Sequence, residues 1–241
     1  MILTLDVGNT RVKWGLYESG RRRDAGALPL RDMDRLEACV PKKPSCAVFA
    51  NVAGVQAGAK LQALFQRLGI AHREVVSVGE QCGVVNTYRV PAQLGADRWA
   101  ALIGARALGV GTAVVVMAGT ATTVDLLDAH GVFQGGVILP GLDLMRTSLS
   151  QNTAQLGPEP GEFVDLPRST TDAIASGCIS AQLGVIERAF RRVADEHDPL
   201  CILSGGGAQP LFERLDLPKR LEPHLVLDGL ARIGVATWPG E

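Results

Sequence analysis

The chain has 241 residues, of which 46% are apolar and 20% charged, and its formal net charge is −1. That is the balance of a globular protein with a large core, and it lacks the basic footprint of a nucleic-acid binder. No apolar run approaches the roughly 20 residues of a membrane span, and Asp6 interrupts the first apolar stretch at once, so neither a membrane anchor nor a signal segment is expected. Cys39, Cys46, Cys82, Cys178 and Cys201 show no C-x-x-C spacing and read as reduced thiols of a cytoplasmic protein. His72, His130, His197 and His224 are too scattered for a zinc site.

In chain order, residues 2–17 read as strand, turn and strand, the turn holding Gly8, Asn9 and Thr10, with a third strand at 25–28. Arg21, Arg22 and Arg23 are expected on a solvated turn. Residues 31–38 have helical composition, ended by the prolines Pro41 and Pro44. Residues 46–52 form a buried-strand candidate and 55–68 a helix stopped by Gly69; residues 74–78 give another strand. This strand, helix, strand order is the parallel crossover of an α/β domain. Residues 83–95 read as a loop containing Asn86, Thr87, Tyr88 and Pro91. A helix over about 96–108 follows, with Asp97 and Arg98 in its first turn and Trp99 in the core. A carboxylate there suits the helix dipole. Beside Arg98 it could also accept a proton from a substrate hydroxyl, while Arg98 held a substrate carboxylate in bidentate fashion.

From residue 112 the opening pattern recurs: an apolar strand, a turn at Gly119 and Thr120, a strand through Leu127 and a third strand at 135–139. Residues 142–149 read as a short helix and 152–166 as a loop, the expected functional insertion. Ser169, Thr170, Thr171 and Asp172 can cap a helix over 171–195, Thr170 being either cap or substrate contact. A strand at 200–204 ends in Gly205, Gly206 and Gly207 before a short helix at 208–215, and a helix at 225–236 closes the chain. The three glycines would let a flat group lie against the backbone at a helix N-terminus that favours negative charge.

Either hairpin alone is equally an ordinary Gly turn. The pair, in the same order with the same third strand, predicts two similar α/β domains, 1–111 and 112–241, facing each other across a cleft. Gly turns at strand ends leave N–H groups open to an anion. Asn9, Thr10, Thr120, Thr122 and Thr123 carry short groups that can bond phosphate oxygens, and Asp6 could hold Mg²⁺ through water.

Together, Asp6-Val7-Gly8-Asn9-Thr10, Asn86-Thr87-Tyr88, Gly95-Ala96-Asp97-Arg98-Trp99-Ala100, Gly119-Thr120-Ala121-Thr122-Thr123, Gly135-Gly136 with Pro140-Gly141, Thr170 with Ala173-Ile174, and Ser204-Gly205-Gly206-Gly207 resemble the type III pantothenate kinases, also called Bvg accessory factor homologues, over essentially the whole chain. The resemblance implies two actin-like (ribonuclease H-like) domains with a nucleotide cleft between them. It implies transfer of the γ-phosphoryl group of ATP to the 4′-hydroxyl of pantothenate, the first step towards coenzyme A, by a cytoplasmic homodimer. Asp6, Val7, Gly8, Asn9, Thr10, Arg11, Val12 and Lys13 would form the first phosphate loop, with Asp6 serving Mg²⁺. Thr120 would belong to the second loop, and Gly205, Gly206 and Gly207 would line the adenosine site. Tyr88, Gly95, Ala96, Asp97, Arg98 and Thr170 would line the pantothenate pocket, with Asp97 as general base. One position departs from the pattern. Much of the family has an Asp, linked to K⁺ or NH₄⁺, where this chain has Met117; a thioether is a poor ligand for a hard cation. A weakened K⁺ dependence, or a site rebuilt from other oxygens with Asp125 contributing, is therefore expected. A nucleotide-binding accessory protein without kinase activity is the alternative.

Overall fold

The computed structural model describes residues 1–40, 44–152 and 161–238. The first half of the chain gives β1 (Ile2–Val7), β2 (Arg11–Glu18), β3 (Arg21–Pro29), α1 (Leu36–Cys39), β4 (Cys46–Asn51), α2 (Val55–Leu68), β5 (Ala71–Glu74), β6 (Glu80–Gln81), β7 (Val84–Asn86) and α3 (Ala96–Ala107). The second gives β8 (Ala113–Ala118), β9 (Ala121–Leu127), β10 (Val132–Pro140), α4 (Leu142–Asn152), α5 (Thr170–Phe190), β11 (Leu200–Ser204), α6 (Ala208–Phe212), β12 (Lys219–Leu221) and α7 (Leu225–Thr237).

The chain forms two compact units. The first spans Met1–Gly109, His130–Phe133 and His224–Glu241; the second spans Val110–Ala129 and Gln134–Pro223. The units are not two halves cut at one point, because the closing helix α7 belongs with the opening strands.

In the first unit the strand order is β3-β2-β1-β4-β5. β1 runs antiparallel to β2 and parallel to β4, and β4 runs parallel to β5. In the second unit the order is β12-β11-β8-β9-β10, with β8 antiparallel to β9 and parallel to β11, and β11 parallel to β12. Read from the third strand of each unit, the two orders are the same. This is the duplicated α/β arrangement expected from the repeated turns, and it agrees with the actin-like fold that the family resemblance implies. The central strands β1, β4 and β8 are nearly continuous apolar runs because they are covered on both faces. Each unit has its own core: Leu5, Phe49, Leu61 and Phe65 anchor the first, and Val114, Ile186, Leu203 and Leu211 the second.

Several expected elements lie elsewhere. β5 is at Ala71–Glu74 rather than 74–78, because its parallel ladder pairs Cys46 with Ala71 and Phe49 with Glu74, and the Val75 N–H closes it on the Phe49 carbonyl at 2.8 Å. Arg21, Arg22 and Arg23 lie on β3, and the turn before them is Ser19–Gly20, both at positive φ. The expected loop at 83–95 contains β7, which pairs with β10 (Val132 with Val85, Phe133 with Asn86). α5 stops at Phe190, and the chain then tightens into i→i+3 bonds such as Val193 N–H to the Phe190 carbonyl. Residues 153–160 of the expected insertion, and Pro41, Lys42 and Lys43, lie outside the described residues. Among the described residues no helix is long and apolar enough to cross a membrane.

Candidate active site

Two turns of the same construction end the leading strand of each unit. In the first, Val7 pairs with Val12 and the Gly8 N–H bonds the Arg11 carbonyl at 3.0 Å. In the second, Ala118 pairs with Thr122 and the Gly119 N–H bonds the Ala121 carbonyl at 3.0 Å. Asn9, Thr10 and Arg11 are exposed around the first turn, and Gly119 and Thr120 around the second. Val7 and Val12 point into the core, so those positions offer a ligand only main chain.

Asp6 sits at the end of β1 with little of its side chain exposed, and its nearest cation is Lys13 Nζ at 3.9 Å. Burial pushes its carboxyl up to about 6; Lys13 works against that shift and the negative charge of Asp97 adds to it. A buried carboxylate with a second carboxylate close enough to be felt is the donor chemistry a hard divalent cation satisfies, so Asp6 fits a Mg²⁺ site.

Asp97 and Arg98 occupy the first turn of α3. The Asp97 carboxylate folds back to accept the Arg98 backbone N–H at 2.8 Å. Gly95, the N-cap residue, makes this possible: a Cβ there would stand 2.7 Å from Asp97 Oδ1. The Arg98 side chain is buried and donates to the Tyr88 hydroxyl at 3.0 Å. Tyr88 is held by Asn86, whose Oδ1 accepts the Tyr88 N–H and whose Nδ2 donates to the Pro91 carbonyl, both at 3.1 Å. Trp99 is fully buried, with its Nε1 donating to Gln81 Oε1 at 3.0 Å. The first unit thus gathers Asp6, Lys13, Tyr88, Gly95, Ala96, Asp97 and Arg98.

In the second unit, the Gly207 N–H bonds the Ala118 carbonyl at 3.0 Å, so the triple-glycine turn lies against the second hairpin. Gly205 has φ +99°, and a Cβ there would overlap the Ala118 carbonyl. Gly141 packs as closely on the hairpin from another side, with its N–H bonding the Thr120 carbonyl at 2.9 Å. Nothing lies within 4 Å of a Cβ built on Gly206, so that stretch of backbone is open to a ligand.

Thr170 is not the helix cap. Ser169 caps α5, its hydroxyl accepting the Asp172 N–H at 3.2 Å. Thr170 instead lines a groove of about 590 Å³ formed by α4 and α5, walled by Met145, Leu149, Ala173, Ile174 and Cys178. Sequence reasoning did not identify Phe133. It is a lone aromatic before a Gly-Gly pair, and nothing local marks it as a neighbour of Tyr88 and Arg98.

The family model described as type III pantothenate kinase matches residues 2–192. A type III pantothenate kinase from Azoarcus sp. (strain BH72) is 47% identical, the match covering all of this chain and 98% of that one. A second from Aromatoleum aromaticum is 49% identical, covering 96% of each. Among solved structures, a Campylobacter jejuni protein assigned to the Baf family of transcriptional activators aligns over 99% of this chain and 100% of its own, with a TM-score of 0.68 and 21% identity. That last likeness speaks for the fold alone. With matching sequence over its full length, the chain belongs to the type III pantothenate kinase family.

Proposed function

We propose that this protein transfers the γ-phosphoryl group of ATP to the 4′-hydroxyl of pantothenate, releasing ADP and 4′-phosphopantothenate. One observation carries the reading: the first turn of α3 sets the Asp97 carboxylate beside a buried Arg98 whose guanidinium donates to the Tyr88 hydroxyl at 3.0 Å. A base for an acceptor hydroxyl and a cation for an acceptor carboxylate then stand on one helix turn. In the first unit Arg98 and Tyr88 bind the acceptor's carboxylate with Gly95 and Ala96 beside them; in the second, Thr170 offers a further acceptor contact. Asp97 takes the hydroxyl proton as the hydroxyl oxygen bonds the γ-phosphorus. The bond from that phosphorus to the bridging oxygen breaks, and ADP leaves with the electron pair. In the first unit the main chain of Asp6–Lys13 offers phosphate contacts; in the second, Thr120 offers a phosphate contact and Gly205, Gly206 and Gly207 receive the adenosine. Asp6 would hold Mg²⁺ through water; bound there, the ion neutralises charge on the phosphate oxygens.

The second hairpin does not fit a K⁺ ion. Met117 faces Thr123 across the β8–β9 pair, so this position offers a thioether beside one hydroxyl and no carboxylate. Asp125 is two residues further along β9, buried against Gly136. Activity in Na⁺ or Tris buffer should therefore approach that in K⁺, and strict K⁺ dependence would refute this.

The reading carries a cytoplasmic location and a homodimer. Leu149, which lines the groove, is exposed, and so are Leu144 of α4 and Val137 and Ile138 of β10. A second copy would cover such an apolar surface. Size-exclusion with light scattering tests this, and a monomer at assay concentration refutes it. No observation favours the accessory-protein alternative, since Asp6, Asp97 and Arg98 are all present.

The decisive experiment is ADP release with ATP and Mg²⁺, with and without pantothenate, beside Asp97→Asn. Pantothenate-dependent turnover should fall by about 10²–10⁴-fold in the variant. Turnover unaffected by the substitution would remove Asp97 from the mechanism. No pantothenate-dependent turnover by the parent would overturn the kinase reading.

A further inference from the structure

Phe133, the second residue of β10, is a fully buried ring. Its backbone is fixed by pairing with Asn86 and by the Thr87 hydroxyl, which donates to its carbonyl. The Tyr88 ring lies against it, centroids 5.5 Å apart and planes inclined by 39°. The Arg98 guanidinium carbon stands 5.8 Å from the Phe133 centroid and 5.8 Å from the Tyr88 centroid. Arg98 is thus held by a hydrogen bond to one ring and by the faces of two.

We infer that Phe133 is a positioning residue for the acceptor's carboxylate: its ring is the wall that orients the Tyr88–Arg98 pair. A guanidinium is a flat, weakly hydrated cation that aromatic faces orient at little entropic cost. Bidentate binding of a carboxylate depends on the plane in which that fork lies. Leucine at 133 would keep the site apolar but remove one of the two flat faces against which the Arg98 guanidinium lies, loosening the plane of its fork. The inference rests on the proposed role of Arg98, and the test separates the two.

The experiment compares Phe133→Leu with the parent on pantothenate and on panthenol, which carries a primary alcohol in place of the carboxylate. The parent should prefer pantothenate strongly. In the variant the KM for pantothenate should rise about tenfold, with kcat and the KM for ATP within about twofold. The KM for panthenol should not move, so the preference narrows. A parent that does not distinguish the two acceptors would overturn the role of Arg98 and the inference with it. A discriminating parent whose folded variant discriminates equally well, or loses activity equally on both acceptors, would overturn the role of Phe133 alone. Phe133→Met, which fills more of the ring's volume, gives the same readings if Phe133→Leu does not fold.

Discussion

Asp6 shows what a buried carboxylate costs the fold that carries it. Its ordinary value of 3.8 rises to about 6 in the folded chain, so at neutral pH the native state holds an ionised group where burial and Asp97 disfavour it, with Lys13 only partly compensating. The sign follows from linkage. With the folded value above the unfolded one, the stabilisation belongs to the protonated carboxyl; it is complete below about 3.8 and lost as pH rises through about 6. Asp6→Asn should therefore unfold later than the parent at about pH 7.5, by on the order of 2 kcal/mol, and the advantage should vanish towards about pH 4. Urea titrations of Mg²⁺-free and nucleotide-free protein at both pH values measure this; equal stability near neutral pH would contradict it. The same variant should lose activity, the usual exchange between stability and function at a site.

At the scale of elements, the helix that presents Asp97 and Arg98 is fixed by glycines. α3 crosses α7 so closely that a Cβ on Gly104 would overlap the Leu225 carbonyl, and one on Gly229 the Ala100 carbonyl. Gly229→Ala should cost about 1–3 kcal/mol, read as a lower urea midpoint at unchanged slope. Gly184→Ala in α5, where nothing lies within 4 Å, is the matched control and should stabilise by about 0.5–1 kcal/mol. If both substitutions behave alike, the close crossing is not what Gly229 provides. The contrast also marks what could be read in advance. α2 was legible to the residue because apolar spacing and a left-handed Gly69 are local signals. That Gly104 meets Leu225 was not, because no pattern within α3 names its partner. The same limit hid Phe133 from Tyr88 and Arg98, whereas Asp97 and Arg98 stood out by residue type and position in a first turn.

At the scale of the molecule, the duplication was legible because each copy is a local strand-turn-strand, and the order of the five-stranded sheet recurs within the seven-stranded one. The return of the chain's end to its beginning was not. α7 buries Leu225, Val226, Leu227, Leu230 and Ile233 in the first unit. At about 2 kcal/mol for each such side chain, that is on the order of 10 kcal/mol, comparable with the whole stability of a domain. Polar groups tie the same helix down: Asp228 accepts the Tyr17 hydroxyl at 2.5 Å and pairs with Arg22 at 2.8 Å. Burial, followed by that carboxylate, raises the Tyr17 phenol's pKa, so the pair stays hydrogen-bonded across the neutral range. A fragment of residues 1–111 should therefore lack a cooperative transition, with α3 and one face of β1 exposed to solvent. Joining residues 224–238 to its end through a flexible linker should restore a sigmoidal melt. Circular dichroism during heating and in urea would distinguish the two chains. A cooperative melt of 1–111 alone would show that α7 only covers a unit already able to fold, and that the first half of the chain is a domain in its own right.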